Sequence, residues 1–148
     1  MRFWRAKKHG AQSLGRSRGG FSTKIHLACD ALGNALRFIL TSGERNDITQ
    51  AESLVDNFIA ESVIADKGYD ANAFIARLAA QHSRVVIPSK ANRKAERTID
   101  THLYKERHLI ENQIGKLKHF RRVFSRFDKL AKNYLSFIHF ASAIIWLR

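Results

Sequence analysis

The chain has 148 residues, of which 45% are hydrophobic, so it can bury the core of one domain and is too apolar to be disordered throughout. Its 26 Lys and Arg residues outnumber its 13 Asp and Glu residues, and the net charge of +13 favours nucleic acid over an acidic membrane surface as the partner. A single cysteine excludes a disulfide framework and a cysteine-built zinc site. The first residues, MRFWRAKK, contain no apolar signal segment, so a cytoplasmic location is expected.

Residues 1–20 are predicted to form a flexible basic arm ahead of a folded domain over residues 21–148. The arm contains six Lys or Arg residues and no acid, and its glycines argue against a helix. Such a segment can lie along phosphates, with Arg16 and Arg18 as candidate contacts, or remain a solvated tail. Composition alone does not separate these two interpretations.

The first predicted element is a β-hairpin, FSTKIHLACDALGNALRFILTSG. Its first strand alternates apolar and polar residues from Phe21 to Cys29, and Asp30–Asn34 supplies typical turn residues before the second strand.

Helices and short strands alternate along the rest of the chain. The segment ERNDITQAESLVDNFI predicts a helix that Asp47 or Thr49 caps, with an apolar stripe of Ala51, Leu54, Val55 and Phe58. A short strand ending at Ala65, a helix over ANAFIARLAAQ and a strand over SRVVIP follow. Two helices, about 101–127 and 130–147, end the chain. The last is apolar but too short and too interrupted for a membrane span, so it is predicted to be a core helix. This order of elements predicts an α/β fold.

Asp66 directly follows the apolar run Val63–Ala65 in the stretch SVIADKGYDANAF. In α/β proteins, side chains at the carboxyl ends of strands leave the core and line a crevice where chemistry takes place. Gly68 then allows a tight turn, and Tyr69 can pack over it. The structural alternative is that Asp66 caps the next helix, although Asp70 is better placed to do so.

A second candidate acid lies in YKERHLIENQIGKLK. At about 100° per residue, Tyr104, Arg107, Glu111 and Lys118 share one helical face, next to the apolar stripe. Glu111 would then point to a cleft between Arg107 and Lys118. The alternative is an ordinary surface helix with an i,i+4 pair of Arg107 and Glu111.

Taken together, Asp66 and Glu111 suggest a site for a divalent cation in a basic protein. Mg²⁺ or Mn²⁺ prefers carboxylate oxygen and takes further ligands from water and phosphate. Such ions promote in-line phosphoryl transfer, and the positive surroundings would hold a DNA backbone. We therefore predict that these two acids face each other across one crevice.

These residues resemble the transposases of bacterial insertion sequences that use an Asp-Asp-Glu triad, most closely the insertion-sequence-five family. ADKGYDA is followed by the signature Y-x2-R-x3-E-x6-K, which Tyr104, Arg107, Glu111 and Lys118 fill, and GRSRGGFSTKIHLACDALGNALRF also resembles the family. The resemblance implies a ribonuclease H-like fold with Asp66 and Glu111 as the second and third catalytic acids. It also implies Mg²⁺ or Mn²⁺ as cofactor, element-end and target DNA as partners, a homo-oligomer on DNA, and a bacterial, nucleoid-associated location.

The resemblance has one gap, at the first acid of the triad. In the family this acid lies on the first, central strand, upstream of the GRSRGG-like stretch, whereas Met1–Leu14 contains no Asp or Glu. Asp30 falls in a hairpin turn and Asp47 at a helix start, so neither is expected to replace it. The chain is therefore predicted to be the C-terminal part of a catalytic domain, with reduced metal affinity and open sheet edges. Met1–Trp4 is a candidate for filling the gap as a short strand.

Several basic residues are candidates for DNA contact. Besides the arm, these are Lys24, Lys67, Arg121, Arg122 and Arg126. The last three could equally belong to a solvated face. Six aromatic residues near helical spacing are predicted to pack in the core between the last two helices: Phe120, Phe124, Phe127, Tyr134, Phe137 and Phe140.

The sequence thus predicts an insertion-sequence transposase whose 148 residues are weakly active or inactive alone. Three alternatives stay open: a non-catalytic DNA-binding or regulatory fragment, a small metal-dependent nuclease, and a basic RNA-binding structural protein. Salt-dependent DNA retention without cleavage favours the first alternative, hydrolysis by the chain alone favours the second, and absence of metal binding near Asp66 favours the third.

Overall fold

A computed structural model describes residues 12–17 and 20–148. Arg18 and the suggested strand at Met1–Trp4 lie outside the described residues. Within the predicted arm, a short strand, β1 (Gly15–Ser17), pairs antiparallel with the following strand. The sequence predicted a flexible arm at these positions, because three residues in a glycine-rich segment show no usable alternation.

The predicted hairpin is confirmed. Strand β2 (Gly20–Cys29) pairs antiparallel with β3 (Ala35–Ser42), and the sheet has the order β1-β2-β3. Asp30 stabilises the turn because its Oδ1 accepts hydrogen bonds from the N–H groups of Leu32 and Asn34, at 2.9 and 2.8 Å.

A second unit follows the hairpin. It contains α1 (Ile48–Val55), β4 (Ser62–Ile64), α2 (Asn72–Ala80) and β5 (Arg84–Val86), and β4 pairs parallel with β5. Between β4 and α2 the chain makes a single 3₁₀ turn at Lys67–Tyr69. The unit has its own core, formed by Ala51, Phe74, Leu78 and Ile87. Helix α1 ends at Val55, so Phe58 of the predicted stripe lies beyond it.

The C-terminal part contains α3 (Thr101–Lys105), α4 (His108–Lys118), α5 (Arg121–Phe124) and α6 (Ala131–Trp146). The predicted final helix is confirmed, but the predicted single helix over 101–127 is wrong. Hydrogen bonds between residues three apart tighten the chain at Glu106 and Arg107, and Phe120 adopts an extended backbone with φ −82° and ψ 110°. Because of the second break, Val123 of the separate α5 joins the core.

The larger core packs the hairpin against the C-terminal helices. Leu27 and Phe38 from the hairpin meet Leu117 of α4, Val123 of α5 and Ile138 of α6. The mixed α/β class is therefore confirmed. Within residues 12–17 and 20–148, the five strands form two separate sheets, β1-β2-β3 and β4-β5.

The predicted aromatic core between the last helices is only partly correct. Tyr134 is buried, but Phe124, Phe127 and Phe140 are 60–70% exposed. Only Phe124 lies on the four-residue α5, whereas Phe127 follows that helix and Phe140 lies on an exposed side of α6. Among the described helices, none has the length and apolarity to cross a membrane.

Candidate active site

Asp66 is exposed and lies just beyond the end of β4, as predicted. Its Oδ1 accepts a 2.7 Å hydrogen bond from the N–H of Gly68 and so caps the 3₁₀ turn. A Cβ atom on Gly68 would lie only 2.8 Å from that oxygen, so a larger residue there would displace the Asp66 carboxylate. Tyr69, which was predicted to pack over the turn, packs against the core of the second unit. Its burial, together with the charges of Asp47 and Asp66, raises the pKa of the Tyr69 phenol well above its usual range.

Asp47, at the start of α1, lies beside this turn. Its Oδ2 is 3.6 Å from the position that a Gly68 Cβ would take, so it shares one small region with Asp66. Asp47 is at the N-cap position but accepts no capping hydrogen bond, although the sequence predicted that Asp47 or Thr49 would cap this helix. Its Oδ1 instead lies 3.1 Å from Lys24 Nζ and 3.7 Å from His26 Nδ1, both on β2. Helix α1 is thereby tied to the hairpin, and two carboxylates are brought near the end of β4.

His26 is 3% exposed, although it occupies a polar position in the predicted alternation along β2. Its Nε2 lies 2.7 Å from Thr41 Oγ1 on β3. Burial lowers the pKa of His26, more than the neighbouring Asp47 carboxylate raises it.

We expect this lowered pKa to make the protein less stable in mild acid. Between the unfolded pKa of about 6.5 and the lower folded value, the unfolded chain binds more protons, so the free energy of unfolding falls as the pH drops through this range. Urea unfolding of wild type and His26→Gln at pH 7.5 and 5.5 should show a smaller loss in the variant. Exposed His119→Gln is the control and should behave as wild type. Equal losses in wild type and His26→Gln would contradict this expectation.

Asp70 does not cap α2, although it was the predicted capping residue. The N-cap of α2 is Ala71, and the Asp70 side chain is fully buried. It accepts hydrogen bonds from Arg93 Nε at 2.7 Å, Arg93 Nη2 at 2.6 Å and the N–H of Lys90 at 2.8 Å. Arg97 Nη2 donates a further bond to Oδ1. The hydrogen bonds from Arg93, followed by those from Arg97, hold the pKa of Asp70 well below its usual range in spite of burial.

Glu111 lies in the first turn of α4 and is exposed. Its Oε1 lies 2.8 Å from Arg107 Nη1, and the Arg107 guanidinium carbon lies 5.7 Å from the centre of the Tyr104 ring. Arg107 and Glu111 thus form the i,i+4 pair that the alternative interpretation also predicts, and Tyr104 lies beside Arg107 despite the break between α3 and α4. In the described part of the chain, no salt bridge joins Lys118 to Glu111.

A cleft of about 340 Å³ lies between the hairpin turn and α4, with Glu111 at its wall. The other lining residues are Leu32, Gly33, Leu109, Asn112, Gln113, Gly115, Lys116 and His119. The Gln113 amide is buried, and its Nε2 has no hydrogen-bond partner among the described residues. Asp66 and Glu111 thus have separate immediate neighbours, and the crevice that they are expected to share stays a prediction. Across residues 12–17 and 20–148, no three His, Cys, Asp or Glu side chains come together in a way that could hold a metal ion.

The candidate DNA-binding residues differ in whether their charged groups are exposed or already bound to other groups of the protein. Arg16 and Lys67 are exposed. Arg121 and Arg122 are exposed with their guanidinium carbons 5.8 and 3.9 Å from the ring centres of Phe127 and Phe137.

Lys24 and Arg126 are engaged with the protein itself. Lys24 pairs with Asp47 and donates to the carbonyl of Arg45, whereas Arg126 donates to the carbonyls of Ser13, Asp128 and Lys129. A DNA contact by either residue would have to compete with these bonds.

Sequence reasoning missed His26 and the pairing of Asp70 with Arg93 and Arg97. A polar residue inside an otherwise alternating strand gives no signal that it will be buried. For Asp70, the available signal was two arginines in a loop that follows a short apolar strand. Asp47 was considered, but its nearness to Asp66 depends on how α1 packs.

Comparisons with known proteins give a consistent result. A family profile described as "Transposase DDE domain" matches residues 2–146. The "Putative transposase for insertion sequence element IS6501" of Brucella ovis is 40% identical over 129 residues, which cover 86% of this chain and 99% of that protein. The "Putative transposase for insertion sequence element IS402" of Burkholderia cepacia is 31% identical over 156 aligned residues, covering 97% of this chain and 71% of that protein. No solved structure gives a significant match.

Proposed function

Because this chain belongs to the family of insertion-sequence transposases with a DDE domain, we propose that it serves metal-dependent phosphoryl transfer on DNA. The complete reaction would cut the ends of an insertion sequence and join them to target DNA, with the protein acting as a homo-oligomer on DNA. The observation that supports this proposal best is the Tyr104–Arg107–Glu111 face of α3 and α4, together with Asp66 at the end of β4.

The proposed fold is ribonuclease H-like. In such an arrangement a central strand would lie between the β1-β2-β3 sheet and the β4-β5 sheet and join them into one mixed sheet. Two observations support this: the described strands form two sheets, and the helix between β4 and β5 allows their parallel pairing. The division into a basic arm and a catalytic domain stays part of this proposal.

Asp66 and Glu111 are the proposed metal ligands and the second and third acids of the triad. Both are exposed carboxylates, which are the oxygen donors that Mg²⁺ and Mn²⁺ prefer, so the available side chains fit such an ion. The bound ion would activate a water or a 3′-hydroxyl for attack on phosphorus.

The chain's own residues would orient these two acids. The Gly68 N–H fixes Asp66 through Oδ1, and no described group donates a hydrogen bond to Oδ2. The Arg107 guanidinium, lying over Tyr104, holds Oε1 of Glu111 in a charge-assisted pair. Exposed Arg121 and Arg122 are proposed to contact phosphates, and their approach to aromatic rings restricts their rotamers beforehand.

We further propose that the 148 residues alone are weakly active or inactive. Met1–Leu14 contains no acid, Asp30 is engaged in the hairpin turn, and Asp47 is engaged by Lys24 and His26. Since no metal-competent cluster of three appears among the described side chains, a non-catalytic DNA-binding or regulatory role is the second candidate function.

The test uses the 148-residue protein with Mg²⁺ or Mn²⁺ and a duplex that carries an element end. We expect salt-dependent DNA binding and at most weak nicking, which Asp66→Asn and Glu111→Gln each reduce about 100-fold or more, because each removes a ligand that stabilises the transition state. Asp56→Asn, an exposed acid on the loop after α1, is the control and should leave activity unchanged.

Each possible result bears on a different part of this proposal. Efficient cleavage that Asp66→Asn abolishes would contradict the proposed weakness of the isolated chain. Cleavage that is unaffected by both site variants would contradict the proposed acids. DNA retention without cleavage, unchanged by Glu111→Gln, would establish the non-catalytic role.

A further inference from the structure

The buried carboxylate of Asp70 is the anchor of the loop that follows β5. We call residues Ser89–Arg97 the basic loop, because these nine residues carry four Lys or Arg and one Glu. The loop contains no helix or strand, yet three of its residues hold Asp70: Lys90 through its N–H, and Arg93 and Arg97 through their guanidinium groups. Arg93 also donates to the side chain of Asn72 at the start of α2.

This anchoring places the basic loop next to the turn that carries Asp66. Asp70 ends the 3₁₀ turn that Asp66 begins, so the two acids are only four residues apart in one tight segment. Two internal hydrogen bonds also order the loop: the Arg93 N–H donates to the Lys90 carbonyl at 3.0 Å, and the Arg97 N–H donates to Ser89 Oγ at 3.0 Å. The loop is therefore ordered and tied, through Asp70, to the segment that also carries the candidate acid.

The loop has more positive charge than its anchor neutralises. Asp70 compensates one of the two guanidinium groups that bind it, which leaves a net positive charge in the network. Lys94 is exposed and Lys90 is half-buried, and neither forms a salt bridge with any described residue. Lys67, which is also exposed, lies in the adjoining turn.

We propose that the basic loop is a contact surface for the phosphate backbone of the DNA strand on which Asp66 acts, with the Lys90 and Lys94 ammonium groups as the contacts. This inference rests on the proposed function. A cation that faces a phosphate releases condensed counterions, which makes binding sensitive to salt. Because a buried ionic network fixes this surface, its phosphate contacts would also hold the DNA strand at a defined position relative to Asp66 at the end of β4.

The test is a salt titration of DNA binding by wild type and the double variant Lys90→Ala/Lys94→Ala, measured by fluorescence anisotropy of a labelled duplex. The substitutions keep the Lys90 N–H that anchors the loop, so the melting temperature should remain that of wild type. A plot of log affinity against log salt concentration has a negative slope, and we expect the magnitude of this slope to decrease by about 2 in the variant, which is close to 1 per lost phosphate contact. The matched control is Lys129→Ala/Lys132→Ala, which removes two exposed lysines, one just before α6 and one in its first turn.

The possible outcomes separate this inference from the proposal on which it depends. A wild-type slope for the loop variant would overturn the loop as a contact surface and leave the proposed function intact. Equal losses in the loop and control variants would also overturn it, because net charge and not position would then set the affinity. If wild type itself shows no salt-dependent DNA binding, the proposed function fails as well.

Discussion

Asp70→Asn should lower the free energy of unfolding by about 3–5 kcal/mol, which is the cost of removing one partner from a buried ionic network. The Asp70 side chain is fully buried and accepts hydrogen bonds from Arg93, Arg97 and the Lys90 N–H. Asparagine has nearly the same shape but lacks the charge, and its NH₂ group would face donors that need an acceptor. Urea unfolding at pH 7 measures the loss.

Asp56→Asn is the matched control for this prediction. Asp56 also pairs with an arginine, Arg77, at 3.2 Å, but its side chain is 55% exposed. An exposed pair contributes about 0–1 kcal/mol, so the same chemical change should have little effect there. If the two variants lose similar amounts of free energy of unfolding, burial does not determine how much Asp70 contributes to stability.

The contribution of Asp70 also has a defined pH dependence. Its folded pKa lies below the unfolded value of about 3.9, so the stabilisation is fully present above that value and is lost as the pH falls through the folded pKa. The stability difference between wild type and Asp70→Asn should therefore be constant above about pH 5 and narrow only below about pH 4. A difference that narrows between pH 7 and 5 would assign the effect to another group.

Local patterns predicted much of this structure because several of its elements are stabilised locally. The hairpin followed from alternation along β2 and from Asp30, whose side chain bonds to N–H groups within four residues. The face of Tyr104, Arg107 and Glu111 followed from helical periodicity, since residues three and four apart are neighbours on a helix.

Other features depend on contacts between distant residues and left no local signal. Arg93 and Arg97 reach Asp70 across 23 and 27 residues, so capping was the simpler but incorrect interpretation of that acid. The nearness of Asp47 to Asp66 arises from the packing of α1 against the 3₁₀ turn, which periodicity cannot predict. The break at Phe120 contains neither Gly nor Pro, and the burial of Val123 in the core accompanies it.

Substitution of Arg126 is also expected to cause a large loss of stability, because protein acceptors surround its guanidinium. The sequence had instead predicted that Arg126 contacts DNA. Its Nε donates to the Asp128 carbonyl at 3.0 Å, Nη1 to the Ser13 carbonyl at 3.2 Å and to Thr23 Oγ1, and Nη2 to the Lys129 carbonyl at 3.2 Å. The guanidinium carbon also lies 5.3 Å from the centre of the Tyr134 ring. One side chain thus joins the segment before β1, strand β2 and the loop before α6.

Arg126→Met should therefore lower the free energy of unfolding by about 2–4 kcal/mol, since it removes four hydrogen bonds, three of them part-buried, while keeping the aliphatic part of the side chain. At temperatures where the variant stays folded, its DNA salt slope should equal that of wild type. Exposed Arg121→Met should behave in the opposite way, with stability within about 0.5 kcal/mol of wild type and a slope smaller by about 1. If Arg126→Met instead keeps full stability and reduces the magnitude of the salt slope, the Arg126 guanidinium contacts DNA, and its hydrogen bonds within the protein contribute little to the stability of the fold.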